Sequence, residues 1–268
     1  MYDRELEVAE RAARTAGDVI MRHYARGGID VEAKADATPV TAADRDANAA
    51  IIEVLRAAFP DDYVLSEELP DDDARLTRSR VWIVDPLDGT RDFVQRTGEF
   101  AVHVGLAIDG RAVAGAVHVP VAGATYVAQL GGGAWRITGS GKDRLRVSPT
   151  SALDEIRVGV SRLNPSPTLA PFLAKTGLAQ RTVGMGASVK FMALAEGRLD
   201  AVINASTSEH EWDTCAPEVI LREAAGTITD LDGADFRYNQ RALSHPRGSL
   251  ASNGVCHDLL LGLLRDHL

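Results

Sequence analysis

The sequence predicts an α/β protein, a layered sandwich whose first half is α+β, and three observations carry that reading. Apolar residues at helical spacing open the chain, a meander of short apolar runs punctuated by turn residues follows, and beyond residue 156 short strands alternate with helices. At 268 residues, 45% hydrophobic and 25% charged, the chain can bury a large core, which excludes disordered, collagenous and low-complexity classes.

Leu6, Val8, Ala9, Ala12, Ala13, Ala16, Val19, Ile20 and Tyr24 recur on one helical face, and Gly27-Gly28 supplies a stop. Thr41 with Asp44 three residues on has the form of a capping box. It opens a second helix, carried by Ala47, Ile51, Ile52, Leu55 and Ala58 and closed before Pro60. Tyr63-Val64-Leu65 and Val81-Trp82-Ile83-Val84 read as short strands. Both run into acids, at Ser66-Glu67-Glu68 and at Asp85-Pro86, and Pro86 is expected to end the second. Over 100–137, Asp109-Gly110, Ala122-Gly123 and Gly131-Gly132-Gly133 separate apolar runs into an antiparallel meander. Strands at 157–160, 201–203 and 227–229 then alternate with helices at 187–196 and 214–225. Ser148-Pro149-Thr150 divides an α+β unit, 1–149, carrying the acidic motif from an α/β unit, 150–268, that completes the site and binds substrate.

Twenty-nine basic against 38 acidic residues leave a net charge of −9, which argues against nucleic acid or an anionic membrane as partner. The acid is concentrated: 61–99 holds eleven Asp or Glu and five Arg, so a cation belongs there. Cys215 and Cys256 are too few for a disulfide framework, lack zinc-site spacing and suit a reducing compartment. Met1-Tyr2-Asp3-Arg4-Glu5 has no apolar signal core and the longest apolar run, 259–264, is far too short to span a bilayer, so a cytoplasmic, soluble protein is expected.

The chemistry concentrates in Trp82-Ile83-Val84-Asp85-Pro86-Leu87-Asp88-Gly89-Thr90. An apolar strand delivers Asp85, and Gly89 permits the tight backbone that turns Asp88 back beside it. Two carboxylates about 4 Å apart repel by roughly 4 kcal/mol at an effective dielectric near 20, so the pair needs protons or a cation. Mg²⁺, which takes hard oxygen ligands together with substrate phosphate, suits it. An isolated Asp-Gly is more simply a turn. Here, however, Glu67 ends the neighbouring strand and Asp213 follows Trp212 at a helix start, and four acids at element ends mark a site rather than solvated faces. Other phosphate chemistries fit worse. Asp85 and Asp88 are too far apart for Asp-x-Asp, Cys215 and Arg222 miss the Cys-x5-Arg spacing by one residue, and 184–190 lacks the Gly-Lys-Ser/Thr ending of a P-loop.

Asp85-Pro86-Leu87-Asp88-Gly89-Thr90, with Ser66-Glu67-Glu68 upstream and Trp212-Asp213 downstream, resembles the signature of the inositol monophosphatase superfamily, Mg²⁺-dependent and lithium-sensitive phosphatases. The likeness runs over about 6–253 and implies their layered α-β-α-β-α sugar-phosphatase fold. Within the superfamily the chain is most similar to the 3′(2′),5′-bisphosphate nucleotidases of sulfate assimilation. That likeness rests on Gly89-Thr90-Arg91-Asp92-Phe93, Gly98-Glu99-Phe100, Gly186-Ala187-Ser188-Val189-Lys190-Phe191, the run 212–221 and Tyr238-Asn239. Where inositol phosphatases place a Glu that holds inositol hydroxyls, seven residues before the metal Asp, this chain has Ser206.

The resemblance implies two or three Mg²⁺ per site. Glu67, Asp85 and the Leu87 carbonyl would hold one ion, and Asp85, Asp88 and Asp213 a second. Thr90, polarised by Asp44, would orient and deprotonate the attacking water, although by itself Asp44 reads as a helix cap. Glu67, Leu87, Asp88, Gly89, Thr90 and Asp213 would also meet the substrate, the Gly89 and Thr90 amides on phosphate oxygens. Ser161, Arg162, Ser188 and Lys190 are candidates for a second phosphate. The expected reaction is hydrolysis of the 3′-phosphate of adenosine 3′,5′-bisphosphate to AMP and phosphate, with the sulfated analogue as a further substrate. An inositol-1-phosphatase or broad sugar phosphatase is the alternative. A metal or nucleotide sensor without turnover has no need of the Asp44–Thr90 pair. A monomer or homodimer is expected. Trp212 reads as packing, and His103, His118 and His210 have no metal-ligand spacing.

Overall fold

The computed structural model describes residues 1–26, 31–33, 39–163, 166–186 and 189–267. In chain order the elements are α1 (Asp3–Arg26), β1 (Val31–Ala33), β2 (Pro39–Thr41), α2 (Ala42–Ala58), β3 (Tyr63–Ser66), β4 (Arg80–Asp88) and α3 (Thr90–Val94). Next come β5 (Ala101–Ile108), β6 (Arg111–Val119), β7 (Ala124–Gln129), β8 (Gly133–Thr138), β9 (Gly141–Arg144), β10 (Val158–Ser161) and α4 (Leu169–Thr176). The chain ends with β11 (Thr182–Met185), α5 (Val189–Ala195), β12 (Ala201–Asn204), α6 (Glu211–Glu223), β13 (Thr227–Thr229), β14 (Ser249–Ser252) and α7 (His257–Arg265).

The apolar face read from the sequence is the buried face of α1, from Val8 to Ile20. Thr41 caps α2: its hydroxyl accepts the Ala43 N–H (3.1 Å) while Asp44 accepts the Thr41 N–H (2.8 Å). The meander forms the long part of a seven-stranded sheet ordered β3-β4-β5-β6-β7-β8-β9, antiparallel except for the parallel β3–β4 pair. A five-stranded sheet, β11-β10-β12-β14-β13, is parallel across β11, β10 and β12 and antiparallel at β14.

Helices α1 and α2 cover one face of the large sheet, α5 and α6 lie between the two sheets, and α4 and α7 cover the outer face of the small one. Three apolar clusters fill the spaces between these layers, so the α-β-α-β-α order is set by where apolar faces can be buried. Helix α6 comes close to the large sheet because two glycines face it. A Cβ on Gly105 would stand 2.7 Å from Cys215 Sγ, and one on Gly115 2.9 Å from Ala216 Cα. Cys215 and Cys256 are free, buried thiols.

Several elements differ from the sequence reading. Strand β4 does not stop before Pro86 but runs to Asp88, because an extra residue bulges between the pairs Asp85–His103 and Asp88–Ala101. The missing N–H of Pro86 falls in that bulge and takes no bond from the ladder. Helix α6 starts three residues earlier than 214, and α4, β11, β14 and α7 had no periodic signal long enough to separate helix from strand. Gly27-Gly28 lies outside the described residues. No helix among the described residues is long and apolar enough to cross a membrane.

Two core histidines make the fold sensitive to acid. Burial pushes His118, whose Nδ1 is 2.9 Å from the Thr125 hydroxyl, and His245 down to about 4. In the unfolded chain a histidine titrates near 6.5, so as pH falls below 6.5 the unfolded state takes up protons that the fold refuses until about pH 4. Each histidine therefore withdraws about 2 kcal/mol of stability by pH 5. Urea unfolding of the native chain and of His118→Gln at pH 7 and pH 5 should show their stability difference shifting by about 2 kcal/mol in favour of the variant. A pH-independent difference would contradict this account.

Candidate active site

The site is assembled at the ends of β3 and β4 and at the first turn of α6. The β4 bulge turns Asp85 inward, 2% exposed, with one carboxylate oxygen accepting the Leu87 N–H at 3.0 Å. Gly89 follows in a left-handed conformation, φ +88°, that a side chain would strain, and reverses the backbone into α3 with Asp88 at the turn. Asp213 sits in the first turn of α6, its Oδ2 accepting the His210 N–H at 2.7 Å. One carboxylate oxygen from each of Asp85, Asp88 and Asp213 lies within 4.8 Å of the others. Glu67 leaves β3 with its N–H bonded to the Val84 carbonyl (3.2 Å), which ties it to β4.

Crowding shows in the proton affinities. Burial first, then the charges of Glu67, Asp88 and Asp213, push Asp85 well above the ordinary carboxylate range. Burial and Asp88 do the same to Asp213. An all-oxygen donor set with this much mutual repulsion fits a hard divalent cation.

Asp44 serves two partners. Oδ2 accepts the Thr41 N–H and hydroxyl (2.8 and 2.6 Å), while Oδ1 accepts the Thr90 hydroxyl at 3.0 Å. The Leu87 carbonyl lies 3.3 Å from the same hydroxyl. Burial raises Asp44, and the hydrogen bonds from Thr41 and Thr90 oppose that rise.

A cavity of about 760 Å³ opens over these groups. Its lining includes Glu67, Asp88, Gly89 and Thr90 from the acidic motif, Arg91 and Asp92 beside them, and Ser161, Lys190 and 204–208 from the second half of the chain. Asp213 and Asp88 also line an adjoining recess of about 170 Å³ that reaches Lys190. Leu87 is buried, 1% exposed. Arg162 does not line the cavity: its guanidinium is bound to Glu99 and to the Gly184 carbonyl. Ser188 lies outside the described residues. Ser206 lines the cavity and its hydroxyl is 2.7 Å from that of Ser208. Trp212 packs against the central core and stacks on His210, centroids 4.6 Å apart.

Residues without a sequence signal support this arrangement. His103, paired with Asp85 across β4 and β5, is fully buried with Nε2 3.5 Å from Asp88 Oδ2 and Nδ1 3.2 Å from the Trp212 carbonyl. Only cross-strand register reveals it. Arg75, 0% exposed, donates to Asp71 (2.6 and 3.0 Å), Asn239 Oδ1 (3.1 Å) and the Gln240 carbonyl (2.8 Å). The Asn239 and Gln240 N–H groups in turn donate to Glu211 at 2.6 and 2.8 Å, two residues before Asp213. Burial pushes Glu211 up to about 7. Segments distant in sequence thus hold the start of α6 in place.

The whole chain, 1–268, matches the profile of the Inositol monophosphatase family. The chain belongs to that family, and it is a phosphatase of small phosphorylated substrates with the family's layered fold. Over 234 residues it is 36% identical to the 3′(2′),5′-bisphosphate nucleotidase CysQ of Escherichia coli K12, covering 85% of this chain and 92% of that one. It is 31% identical to the histidinol-phosphatase of Mycobacterium tuberculosis over 268 residues, 96% of each chain. The crystal structure of CysQ from Bacteroides thetaiotaomicron superposes with a TM-score of 0.81 at 29% identity, over 94% of this chain and 98% of that one.

The Arg75 cluster can be checked directly. Arg75→Met takes the guanidinium from Asp71, Asn239 Oδ1 and the Gln240 carbonyl, leaving Asp71 the Asp72 N–H, and should cost about 2–3 kcal/mol in urea unfolding. A loss under about 0.5 kcal/mol would show that the cluster carries no weight.

Proposed function

We propose that this phosphatase is a Mg²⁺-dependent 3′(2′),5′-bisphosphate nucleotidase that removes the 3′-phosphate of adenosine 3′,5′-bisphosphate, releasing AMP and phosphate. The sulfated analogue is a second substrate, and the setting is cytoplasmic sulfate assimilation. The observation that carries the reading is the convergence of Asp85, Asp88 and Asp213 beside the Thr90–Asp44 pair, with Asp88 and Thr90 lining a cavity that Ser161 and Lys190 also line. The nucleotidase relatives support it.

Glu67, Asp85 and the Leu87 carbonyl would hold one Mg²⁺, and Asp85, Asp88 and Asp213 a second, so that 1–149 supplies every ligand but Asp213. When bound, Mg²⁺ supplies charge neutralisation for the phosphate and a lowered pKa for water. Thr90 accepts a proton from the attacking water at Oγ1 and passes its own to Asp44 Oδ1, 3.0 Å away. Asp44 suits that task because burial has raised its proton affinity. The Gly89 and Thr90 amides orient the phosphate. Lys190 and Arg91 at the cavity favour a substrate with a second anionic group over inositol 1-phosphate or the cationic histidinol phosphate.

Initial rates with Mg²⁺ on adenosine 3′,5′-bisphosphate, inositol 1-phosphate and histidinol phosphate decide among the three. A kcat/KM at least about tenfold higher on the bisphosphate is expected, and a preference for either other substrate would reassign the enzyme. Asp88→Asn, or chelation of the metal, should lower turnover by about 10²-fold or more, and Asp88→Asn should raise rather than lower the thermal midpoint of the metal-free protein because it relieves repulsion on Asp85 and Asp213. Thr90→Ala should retain calorimetric Mg²⁺ affinity while kcat falls by about 10²-fold. Lost affinity would make Thr90 a ligand.

A further inference from the structure

Arg162 and Glu99 are both absent from the chemistry above, yet they join the two sheets beside the cavity. Glu99 stands on the large-sheet side, between α3 and β5, and Arg162 just past the end of β10 in the small sheet. Glu99 Oε2 accepts the Gly186 N–H at 2.6 Å and lies 2.6 Å from Arg162 Nη1, and Oε1 accepts Arg162 Nη2 at 3.0 Å. Arg162 also donates to the Gly184 carbonyl (2.7 Å), and its backbone N–H to the Met185 carbonyl (3.0 Å). One carboxylate therefore ties down the ends of both β10 and β11. Gly186 is pressed against the same region: a Cβ there would stand 2.5 Å from Asp92 Oδ1, an atom already held by the Thr97 hydroxyl at 2.7 Å.

We propose that Glu99 is a positioning residue whose clasp on Arg162 and Gly186 sets the width of the cavity, holding the wall of Ser161 and Lys190 at the distance a substrate with two separated phosphates requires. The pair is 44% and 24% exposed, so water screens it and its value lies in geometry rather than in stability. Arg162, engaged on three sides, acts through Glu99 and not on the substrate. The strand it fixes reaches the site, since Ser161, which lines the cavity, precedes Arg162 directly, and Lys190 packs against the same strand, its Cβ 3.4 Å from where a Cβ on Gly159 would stand. The inference rests on the reading that Lys190 and Ser161 meet a second phosphate.

The experiment compares adenosine 3′,5′-bisphosphate with adenosine 3′-monophosphate, in Mg²⁺, on Glu99→Ala, Glu99→Gln, Gly186→Ala and Lys190→Ala, with the thermal midpoint of each. Glu99→Ala and Gly186→Ala should raise KM for the bisphosphate about tenfold, with kcat, and KM for the monophosphate, within about twofold. Glu99→Gln, which keeps an acceptor for Gly186, should recover part of the loss. Adding Glu99→Ala to Lys190→Ala should cost little more than Lys190→Ala alone, because one acts through the other. Equal effects on both substrates, or none, would overturn the clasp. If Lys190→Ala discriminates between the substrates while Glu99→Ala and Gly186→Ala do not, the clasp fails and the second-phosphate reading stands. If Lys190→Ala treats both substrates alike, that reading fails and the clasp falls with it.

Discussion

Repulsion among carboxylates is the constraint the architecture has to meet. Asp85, Asp88 and Asp213 bring oxygens within 4.8 Å of one another, and at such separations each pair opposes the fold by about 4 kcal/mol at an effective dielectric near 20. Side chains on flexible loops would swing apart. These cannot, because a bulge, a left-handed glycine and a helix cap hold their backbones. Asp85 is turned in by the extra residue in β4, Asp88 by Gly89, and Asp213 by the N–H of His210 at the start of α6.

The same helix links site and core. Helix α6 lies between the sheets, seated on the large one where Gly105 and Gly115 leave room, and its first turn carries Asp213. A shift in that packing would move a carboxylate of the cluster. Glu211, Asn239 and Arg75 oppose such a shift by anchoring the helix start to two loops. Buried polar groups of this kind are costly unless every partner is in place, which is why Arg75 has acceptors on several sides.

Asp44 shows how one residue can satisfy two readings. Its Oδ2 completes the capping box of α2, as the spacing from Thr41 predicts, while its Oδ1 faces Thr90 forty-six residues away. A helix terminus makes a rigid mount for a carboxylate, so capping with one oxygen leaves the other in place to accept the Thr90 hydroxyl. Arg162 is the opposite case. As a lone cation beside Ser161 it invites a role in phosphate binding, but its guanidinium is already engaged by Glu99 and Gly184.

Local rules were enough for the long helices α1 and α2, the meander and its turns, and the placing of acids at the ends of β3, β4 and α6, because periodicity, capping and turn chemistry act over a few residues. The bulge through Pro86 was invisible, since a proline in isolation argues only for a break and the partner strand decides where the extra residue goes. The short elements α4, β11, β14 and α7 take their conformation from neighbours in the second sheet and its outer layer. His103 beside Asp88, the Arg75–Asn239–Glu211 cluster and the engagement of Arg162 by Glu99 join residues from 15 to 164 positions apart. The sequence by itself determined which acids stand at the ends of elements and which faces must be buried. The tertiary structure alone decided which of those ends meet, because strand register and sheet-to-helix packing are relations between segments that no single segment encodes.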